Sequence, residues 1–295
     1  MTMNQVKIKD LKNIEDVISP GVQFCPGCTM ELLARVVLKL LGDDVVMFGG
    51  PSCVVFSNRG KFAYYGTLMT NIASSATGVS RAFRRQGRDT ICLALAGDGA
   101  TADIGFGGLS AAAERGEHIL YICYDNEAYM NTGIQRSSST PFGAMTTTSP
   151  PGKKSFGQKT QKKNMPKIAV AHNIPYVATA CPSYPFDFLA KIKKAKEAKG
   201  PAYIHVLSVC PTGWRIPSDQ AIHYGRLAVR TGVFPLYEVE NGHYRITYSP
   251  EPLRPVTEYI KGQGRFRHLT DDLIAQIQDQ VNHDWQELKN YSEMK

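Results

Sequence analysis

Two apolar stretches decide the fold: Thr90–Gly99 reads TICLALAGDG, and His118–Asn126 reads HILYICYDN. Each opens with a continuous apolar run of strand length, which predicts a strand buried on both faces. The segment between them, Ile104–Arg115, has helical spacing and is followed by Gly116, a residue typical of helix ends. A strand, a helix and a second strand in this order predict a parallel βαβ unit.

The same alternation continues on both sides of this unit. Short apolar runs predict further strands, and apolar residues at helical intervals predict further helices. The predicted strands are Val45–Phe48, Tyr176–Ala180 and Ala202–Val209, and the predicted helices are Asn71–Arg85, Pro166–His172 and Asp187–Lys199. The sequence therefore predicts an α/β fold with a mostly parallel, doubly wound sheet that carries helices on both faces.

The regular alternation of predicted strands and helices ends after residue 235. Prolines at 250, 252 and 255 interrupt this part, which offers one predicted strand, Tyr244–Tyr248, and one predicted helix, Ile274–Leu288. We expect residues 1–235 to form the main domain. Residues 236–295 are expected to form an irregular C-terminal extension that packs on this domain or on a partner subunit.

Composition excludes several classes of protein. The 295 residues are 43% apolar and 20% charged, which is a globular balance. The sequence has no apolar run long enough to span a membrane, and Met1–Asn13 lacks a hydrophobic signal core. We therefore expect a cytoplasmic protein without a membrane partner. The net charge of +8 is not accompanied by a nucleic-acid-binding motif, so we expect no nucleic acid either.

A long segment, Asn126–Asn164, is rich in Ser, Thr, Gly, Pro and Lys, and loops of this length inside a domain are usually functional or disordered. Six lysines and no acid lie in residues 153–167. This basic stretch predicts either a docking surface for an acidic protein or an ordinary solvated loop. The seven histidines show no ligand spacing, and we interpret His172 and His205 as structural.

Each of the two strands predicted above is followed by residues that can bind a metal ion or a phosphate group. Gly97-Asp98-Gly99 follows the first strand and Asn126 the second, with 26 residues between Gly99 and Asn126. Ligands bind at the carboxyl ends of parallel strands, so oxygens of Asp98 and Asn126 can converge on a Mg²⁺ ion. The glycines let the backbone approach phosphates, and the next helix N-terminus attracts a diphosphate. The alternative is a simple turn with a capping asparagine, but the spacing favours the cation site.

Four of the seven cysteines stand at positions typical of metal ligands. Cys25-Pro-Gly-Cys28 precedes a predicted helix, Cys53 follows a glycine-rich turn, and Cys210 precedes a proline. Four thiolates hold either zinc or a [4Fe–4S] cluster, and the spacing leaves both open, as it does a redox-active pair. In a reducing compartment such cysteines indicate metal or catalysis rather than disulfides. We interpret the remaining three as packing residues: Cys92, Cys123 and Cys181.

The motif Gly97-Asp98-Gly99 followed by Asn126 resembles the fingerprint of thiamine diphosphate enzymes. A narrower resemblance covers roughly residues 20–270. It is carried by Asp125–Arg136 (DNEAYMNTGIQR), Thr140–Gly143 (TPFG), Thr146–Pro150 (TTTSP), Ala171–Ala180 (AHNIPYVATA), Cys210–Trp214 (CPTGW) and Gly262–Leu269 (GQGRFRHL). These motifs look like the β subunit of pyruvate:ferredoxin oxidoreductases, also called pyruvate synthases, within the 2-oxoacid:ferredoxin oxidoreductase family.

The resemblance implies a role for individual residues. Asp98, the side chain of Asn126 and the backbone carbonyl of Ala128 would ligate Mg²⁺. Asn131 would lie near the reactive carbon of the cofactor and the substrate as the catalytic residue, and Thr132 would help to hold the diphosphate. By the same resemblance, the four ligand-type cysteines hold a [4Fe–4S] cluster close to thiamine diphosphate: Cys25, Cys28, Cys53 and Cys210. Residues 1–235 would then be the domain that binds both cofactors.

The resemblance also implies the activity and the partners. The family oxidatively decarboxylates small 2-oxoacids, by default pyruvate to acetyl-CoA and CO₂, and passes electrons to ferredoxin. A one-electron acceptor beside the thiamine cofactor suits this chemistry. The glutamate that activates the cofactor belongs to a separate pyrimidine-binding domain, so an α subunit must supply it. Ferredoxin-like γ and δ subunits and coenzyme A are further expected partners.

One segment departs from the family pattern. The family commonly has Asn-Ala-Thr-Gly-Cys where this chain has Gly49–Cys53 (GGPSC). Another 2-oxoacid, in particular oxalate without coenzyme A, therefore competes with pyruvate as substrate. Two other interpretations stay open: a zinc-stabilised α/β binding subunit without catalysis, and a thiamine decarboxylase whose activity does not depend on the four cysteines.

Overall fold

The computed structural model describes residues 16–294, and the predicted signal-free start, Met1–Asn13, lies outside them. The strands are β1 Val45–Gly49, β2 Ala63–Gly66, β3 Ile91–Gly97, β4 Leu120–Asp125, β5 Pro151–Gly152, β6 Ser155–Phe156, β7 Tyr176–Ala180, β8 Ala202–Leu207, β9 Leu236–Glu240 and β10 His243–Tyr248. The helices are α1 Thr29–Leu41, α2 Ile72–Arg85, α3 Phe106–Glu114, α4 Met165–Ala171, α5 Pro185–Glu197, α6 Pro211–Trp214, α7 Ala221–Arg230, α8 Val256–Ile260 and α9 Asp271–Glu293.

Eight of the strands form one sheet in the order β10-β9-β7-β8-β4-β3-β1-β2. The six strands from β7 to β2 are parallel, whereas β9 pairs antiparallel with β7 and β10 pairs antiparallel with β9. Strands β3 and β4 are direct neighbours, with Gly97 opposite Tyr124. The prediction of a mostly parallel α/β sheet is therefore confirmed, and the ends of the two decisive strands lie side by side.

Both faces of the sheet are covered by helices. Alternate strand residues point to opposite faces. On one face Leu95 and Ile122 pack in a cluster with residues of α1 and α5. On the other face Ala94 and Cys123 pack with residues of α2, α3, α4 and α9. Burial on both faces explains why the central strands have continuous apolar sequences instead of alternating ones.

The helix after β3 begins differently from the prediction. Helical backbone starts at Asp98 itself, continues as a π-helical turn over Ala100–Ile104, and α3 begins at Phe106. The long segment 126–164 is mainly irregular and contains only the two-residue strands β5 and β6. Helical backbone therefore starts directly at the strand end, where the predicted phosphate site lies.

The C-terminal part is more regular than we expected. It adds β9 and β10 to the edge of the main sheet, and its last helix, Asp271–Glu293, is 23 residues long. This part therefore packs on the main sheet, and the division into two units at residue 235 stays a prediction. Within residues 16–294, no helix has both the length and the apolar character of a membrane span.

Candidate functional site

The strand ends bring Asp98 and Asn126 together. Asp98 follows β3 and Asn126 follows β4, and both are buried, with 1% and 5% of their surface exposed. They line a cleft with Ala128, Asn131 and Thr132. The structure thus gathers in one cleft the residues that the sequence motif singled out, together with residues of the Cys53 turn: Pro51, Ser52 and Cys53.

Asp98 is a buried carboxylate held in place by a hydroxyl. Ser137 Oγ donates a short hydrogen bond to Asp98 Oδ2. Burial, reinforced by the negative charge of Asp125, raises the pKa of Asp98 well above its usual range. A carboxylate in this position is stabilised in its ionised form by a cation, so its environment fits a metal ligand.

Asn126 and Ala128 complete a set of converging oxygen positions. One atom of the Asn126 side-chain amide lies 3.0 Å from Asp98 Oδ1 and 2.8 Å from the carbonyl oxygen of Ala128. With nitrogen at this position, the amide donates to both oxygens; with oxygen there, three oxygens face one another. Adjacent ligands of an octahedral Mg²⁺ ion are about 3 Å apart, because the Mg–O distance is about 2.1 Å. The second orientation therefore fits Mg²⁺.

Position 99 requires a glycine because the Tyr129 ring packs directly against it. A Cβ atom at position 99 would lie 2.3 Å from the ring of Tyr129, whose hydroxyl donates to the Gly99 carbonyl at 3.1 Å. At Gly97, a Cβ would lie 3.3 Å from the Tyr124 ring. Glycine at 99 therefore lets the turn after Asn126 close over the end of β3.

Asn131 and Thr132 lie at the exposed mouth of the cleft. Burial raises the pKa of the Cys53 thiol, and the nearby side chain of Asn131 partly opposes that increase. Thr132 Oγ1 donates to Gln135 Oε1 at 2.6 Å, within the same turn. The position of Asn131 suits contact with a ligand in the cleft, whereas the Thr132 hydroxyl is engaged by its own loop.

The four candidate cluster cysteines come from separate parts of the chain. Cys28 precedes α1 and Cys210 precedes α6, so each sulfur lies at a helix start. Gly213 N–H donates to Cys210 Sγ at 3.3 Å. Burial raises the pKa of the Cys28 thiol, and the nearby backbone of Met30 and Glu31 partly opposes that increase. Backbone N–H groups that point at sulfur stabilise thiolates, which is the form that binds metal.

The four sulfurs are close enough to influence one another. Burial raises the pKa of Cys53 to about 11, with further contributions from Cys28 and Cys25. Burial also raises the pKa of Cys210 to about 12, and the other three cysteines add to this shift. In the described part of the chain, however, no three cysteine sulfurs lie within 4.8 Å of one another. The four thiols therefore form a group, but a wider one than a single small ion requires.

The other three cysteines are buried, as predicted: Cys92, Cys123 and Cys181. Cys92 and Cys123 lie within β3 and β4, and Cys181 follows β7. Burial raises the pKa of each thiol. A buried thiol with a raised pKa packs as a small apolar group.

The sequence did not reveal a network of charges behind the cleft, which we call the Lys162 ion network. Lys162 Nζ lies 2.9 Å from Asp125 Oδ2 and 2.7 Å from Glu127 Oε1. Arg265 Nη1 lies 2.6 Å from Glu127 Oε2, as an ion pair without hydrogen-bond geometry. His205 Nε2 lies 2.9 Å from Asp125 Oδ2. Although burial opposes the charge, Lys162 and His205 lower the pKa of Asp125 below its usual range.

This network changes the interpretation of the basic stretch 153–167. Besides Lys162, two other lysines have internal partners: Lys163 donates to the Ala102 carbonyl and Lys167 pairs with Glu287. The remaining three lysines are exposed: Lys153, Lys154 and Lys159. Three of the six lysines in this stretch therefore form contacts within the fold. His172 Nε2 lies 3.2 Å from Ser110 Oγ, and its structural role stays a prediction.

Comparison with known proteins identifies relatives of this chain. Residues 52–206 match the family model described as thiamine pyrophosphate enzyme, C-terminal TPP binding domain. The chain is 50% identical over 282 residues to a protein of Methanothermobacter thermautotrophicus named pyruvate synthase subunit PorB, covering 93% of this chain and 98% of that protein. It is 43% identical to a protein of Pyrococcus abyssi named ketoisovalerate oxidoreductase subunit VorB, with coverages of 95% and 94%.

A solved structure has the same fold. It is a 2-oxoglutarate:ferredoxin oxidoreductase from Magnetococcus marinus, which superposes with a TM-score of 0.60 at 22% identity. The match covers 76% of this chain and 82% of the other. At this level of identity the similarity concerns the fold.

Proposed function

Because this chain belongs to the family of β subunits of 2-oxoacid:ferredoxin oxidoreductases, we propose that it binds thiamine diphosphate through Mg²⁺ at Asp98, Asn126 and Ala128. The observation that carries the proposal is that one atom of the Asn126 side-chain amide lies 3.0 Å from Asp98 Oδ1 and 2.8 Å from the Ala128 carbonyl oxygen, which is the spacing of adjacent Mg²⁺ ligands. The reaction is the oxidative decarboxylation of a small 2-oxoacid, by default pyruvate.

The residues of this chain bind and orient in the proposed reaction. Asp98 and Asn126 hold Mg²⁺ with the carbonyl of Ala128, and Gly99 leaves room for this turn. Asn131, at the cleft mouth beside Cys53, contacts the substrate in this proposal. When bound, thiamine diphosphate supplies the electron sink for loss of CO₂, and the cluster supplies a one-electron acceptor.

We propose a [4Fe–4S] cluster at Cys25, Cys28, Cys53 and Cys210. A zinc ion bound by four thiolates at about 2.3 Å brings their sulfurs to about 3.8 Å from one another. No three described cysteine sulfurs lie within 4.8 Å of one another, which favours the larger cluster over zinc. We expect an absorbance band at about 400 nm that dithionite bleaches. A colourless protein with one zinc per chain would support the non-catalytic binding subunit instead.

A second subunit completes the proposed active site. The glutamate that activates thiamine diphosphate in this superfamily comes from a pyrimidine-binding domain, and we propose that an α subunit supplies it. Ferredoxin-like γ and δ subunits and ferredoxin are the proposed electron carriers, in the cytoplasm. The exposed lysines of the basic stretch are available for such a partner: Lys153, Lys154 and Lys159.

Pyruvate is the proposed substrate because relatives from two Methanothermobacter species named PorB are 50% and 49% identical to this chain. 2-Oxoisovalerate is a second candidate, since a relative 43% identical is named ketoisovalerate oxidoreductase. Oxalate stays a third, because Pro51 and Ser52 of the divergent turn line the cleft. Anaerobic assay of the whole complex with each acid and with 2-oxoglutarate, using a viologen acceptor with and without coenzyme A, decides among them.

The magnesium assignment is tested by Asp98→Ala. We expect this variant of the complex to lose binding of thiamine diphosphate, measured by calorimetry with Mg²⁺ present, while the cluster absorbance stays unchanged. Unchanged affinity for thiamine diphosphate would refute the assignment of Asp98 as a ligand.

A further inference from the structure

The Lys162 ion network lies directly behind the proposed magnesium ligands, and the reaction assigns it no part. We propose that Lys162 and Arg265 are positioning residues: they hold Glu127 so that Asn126 and Ala128, on either side of it, face Asp98. The inference rests on the proposed magnesium site. It assigns a role to a lysine from the long segment 126–164 and to an arginine from the C-terminal part.

Glu127 needs such support because of its backbone. Its φ of 74° lies in the left-handed region, which residues with a Cβ rarely adopt. This conformation turns the chain so that the Asn126 amide comes within 2.8 Å of the Ala128 carbonyl oxygen. A residue in a strained conformation persists only where its surroundings determine it.

The surroundings determine it through both backbone and side chain. The N–H of Glu127 donates to Asp125 Oδ1 at 2.9 Å, and its carbonyl accepts from Thr140 Oγ1 at 2.8 Å. Its carboxylate, with a residue exposure of 2%, lies between Lys162 on one oxygen and Arg265 on the other. The two cations therefore fix the side chain of the residue whose backbone sets the direction of both magnesium ligands.

The cations also balance charge. Asp98, Asp125 and Glu127 are three buried acids within one site, and Lys162 contacts two of them. Arg265 is itself 2% exposed and stacks over the Trp214 ring at 3.9 Å, while Trp214 Nε1 donates to the backbone carbonyl of Asn126 at 3.0 Å. Arg265 therefore reaches the turn that carries the proposed magnesium ligands in two ways: it pairs with the Glu127 carboxylate, and it stacks on Trp214, which donates to the Asn126 carbonyl.

The test compares Lys162→Met with Lys159→Met, an exposed lysine of the same segment. Calorimetry on the cofactor-stripped complex measures the affinity for thiamine diphosphate and Mg²⁺. We expect Lys162→Met to weaken it roughly 10- to 100-fold, as for other groups that orient metal ligands, and Lys159→Met to leave it unchanged. Cluster absorbance should be normal in both. Wild-type affinity in Lys162→Met overturns the proposal.

Two further variants keep the test decisive if Lys162→Met does not assemble. Lys162→Arg retains the charge and should keep most of the affinity, whereas Glu127→Gln removes the charge that both cations hold and should weaken binding. Glu127→Gln with wild-type affinity also overturns the proposal. Asp98→Ala distinguishes failure of the positioning role from failure of the magnesium site. If Asp98→Ala loses thiamine diphosphate binding while Lys162→Met does not, only the positioning role fails. If Asp98→Ala binds thiamine diphosphate normally, the magnesium site itself fails.

Discussion

Tyr124 and Ser52 are joined by a hydrogen bond in which the Tyr124 hydroxyl donates to Ser52 Oγ at 2.6 Å. The same hydroxyl accepts from the backbone N–H of Val54 at 3.3 Å. In the sequence, Cys53 lies between Ser52 and Val54, and Tyr124 is two residues before Asn126. One side chain on β4 therefore supports both the turn that carries a candidate cluster ligand and the strand end that carries a candidate magnesium ligand.

Removing this hydroxyl should loosen the Cys53 turn. We expect Tyr124→Phe to cost about 1–3 kcal/mol at this turn, because a buried donor loses its partner. The cluster absorbance of the variant should then decay faster under an iron chelator. Tyr121→Phe is the matched control, because its hydroxyl contacts Thr101 on the other face of the sheet. Equal decay in both variants would contradict a specific role for Tyr124.

A methyl group at position 99 should displace Tyr129. In Gly99→Ala the new carbon would lie 2.3 Å from the ring, so the turn that carries Ala128 must move. We expect the thiamine diphosphate affinity to fall about tenfold or more, by loss of aligned ligands. Gly107→Ala, on an exposed turn of α3 with nothing within 4 Å, is the control and should stabilise by up to about 1 kcal/mol. Normal binding by Gly99→Ala would show that the turn adapts.

Asp98→Asn should stabilise the cofactor-free protein while it removes cofactor binding. The pKa of Asp98 is raised by burial and by Asp125, so its ionisation destabilises the fold as pH rises through that raised value. Each unit by which the pKa is raised corresponds to about 1.4 kcal/mol. The melting temperature of the variant relative to wild type should therefore increase as pH rises. A difference that is constant with pH would contradict this.

Cys53→Ser should abolish electron transfer. Loss of one of four thiolates should remove the cluster absorbance and reduction of a viologen by the complex, while thiamine diphosphate still binds. Cys181→Ser, at a buried thiol whose sulfur lies 3.8 Å from the Gly225 carbonyl, should keep both. Viologen reduction at the wild-type rate by Cys53→Ser would instead support an enzyme that does not use these cysteines.

The proximity of Asp98 and Asn126 could be predicted from the sequence because it depends on strand ends. The apolar runs before Asp98 and Asn126 are long enough to identify two buried strands, and neighbouring parallel strands place their ends together. Lys162 could not be found in this way. Its partner Asp125 is 37 residues away, and within six lysines nothing in the local sequence shows which one pairs with the buried acids.

Strand β9 escaped the sequence pattern for a related reason. Its sequence, LYEVE, contains Glu238, and glutamate is a residue type that is usually exposed to solvent. In the structure Glu238 is 2% exposed and is bound by Lys194 at 2.7 Å and by Arg245. A buried charge that is neutralised by side chains of other elements conceals a core strand, because the apolar pattern of one segment does not show which residues elsewhere in the chain pair with it.

The contact between Glu127 and Arg265 has a consequence for synthesis of the chain. Arg265 follows Glu127 by about 140 residues. At ~5–20 residues per second it leaves the ribosome roughly 7–28 s after Glu127. During that interval the proposed magnesium ligands have been synthesised, but Arg265, the cation proposed to hold their turn, has not. If the proposed positioning role holds, a nascent chain that stops before residue 265 should bind thiamine diphosphate more weakly than the full chain.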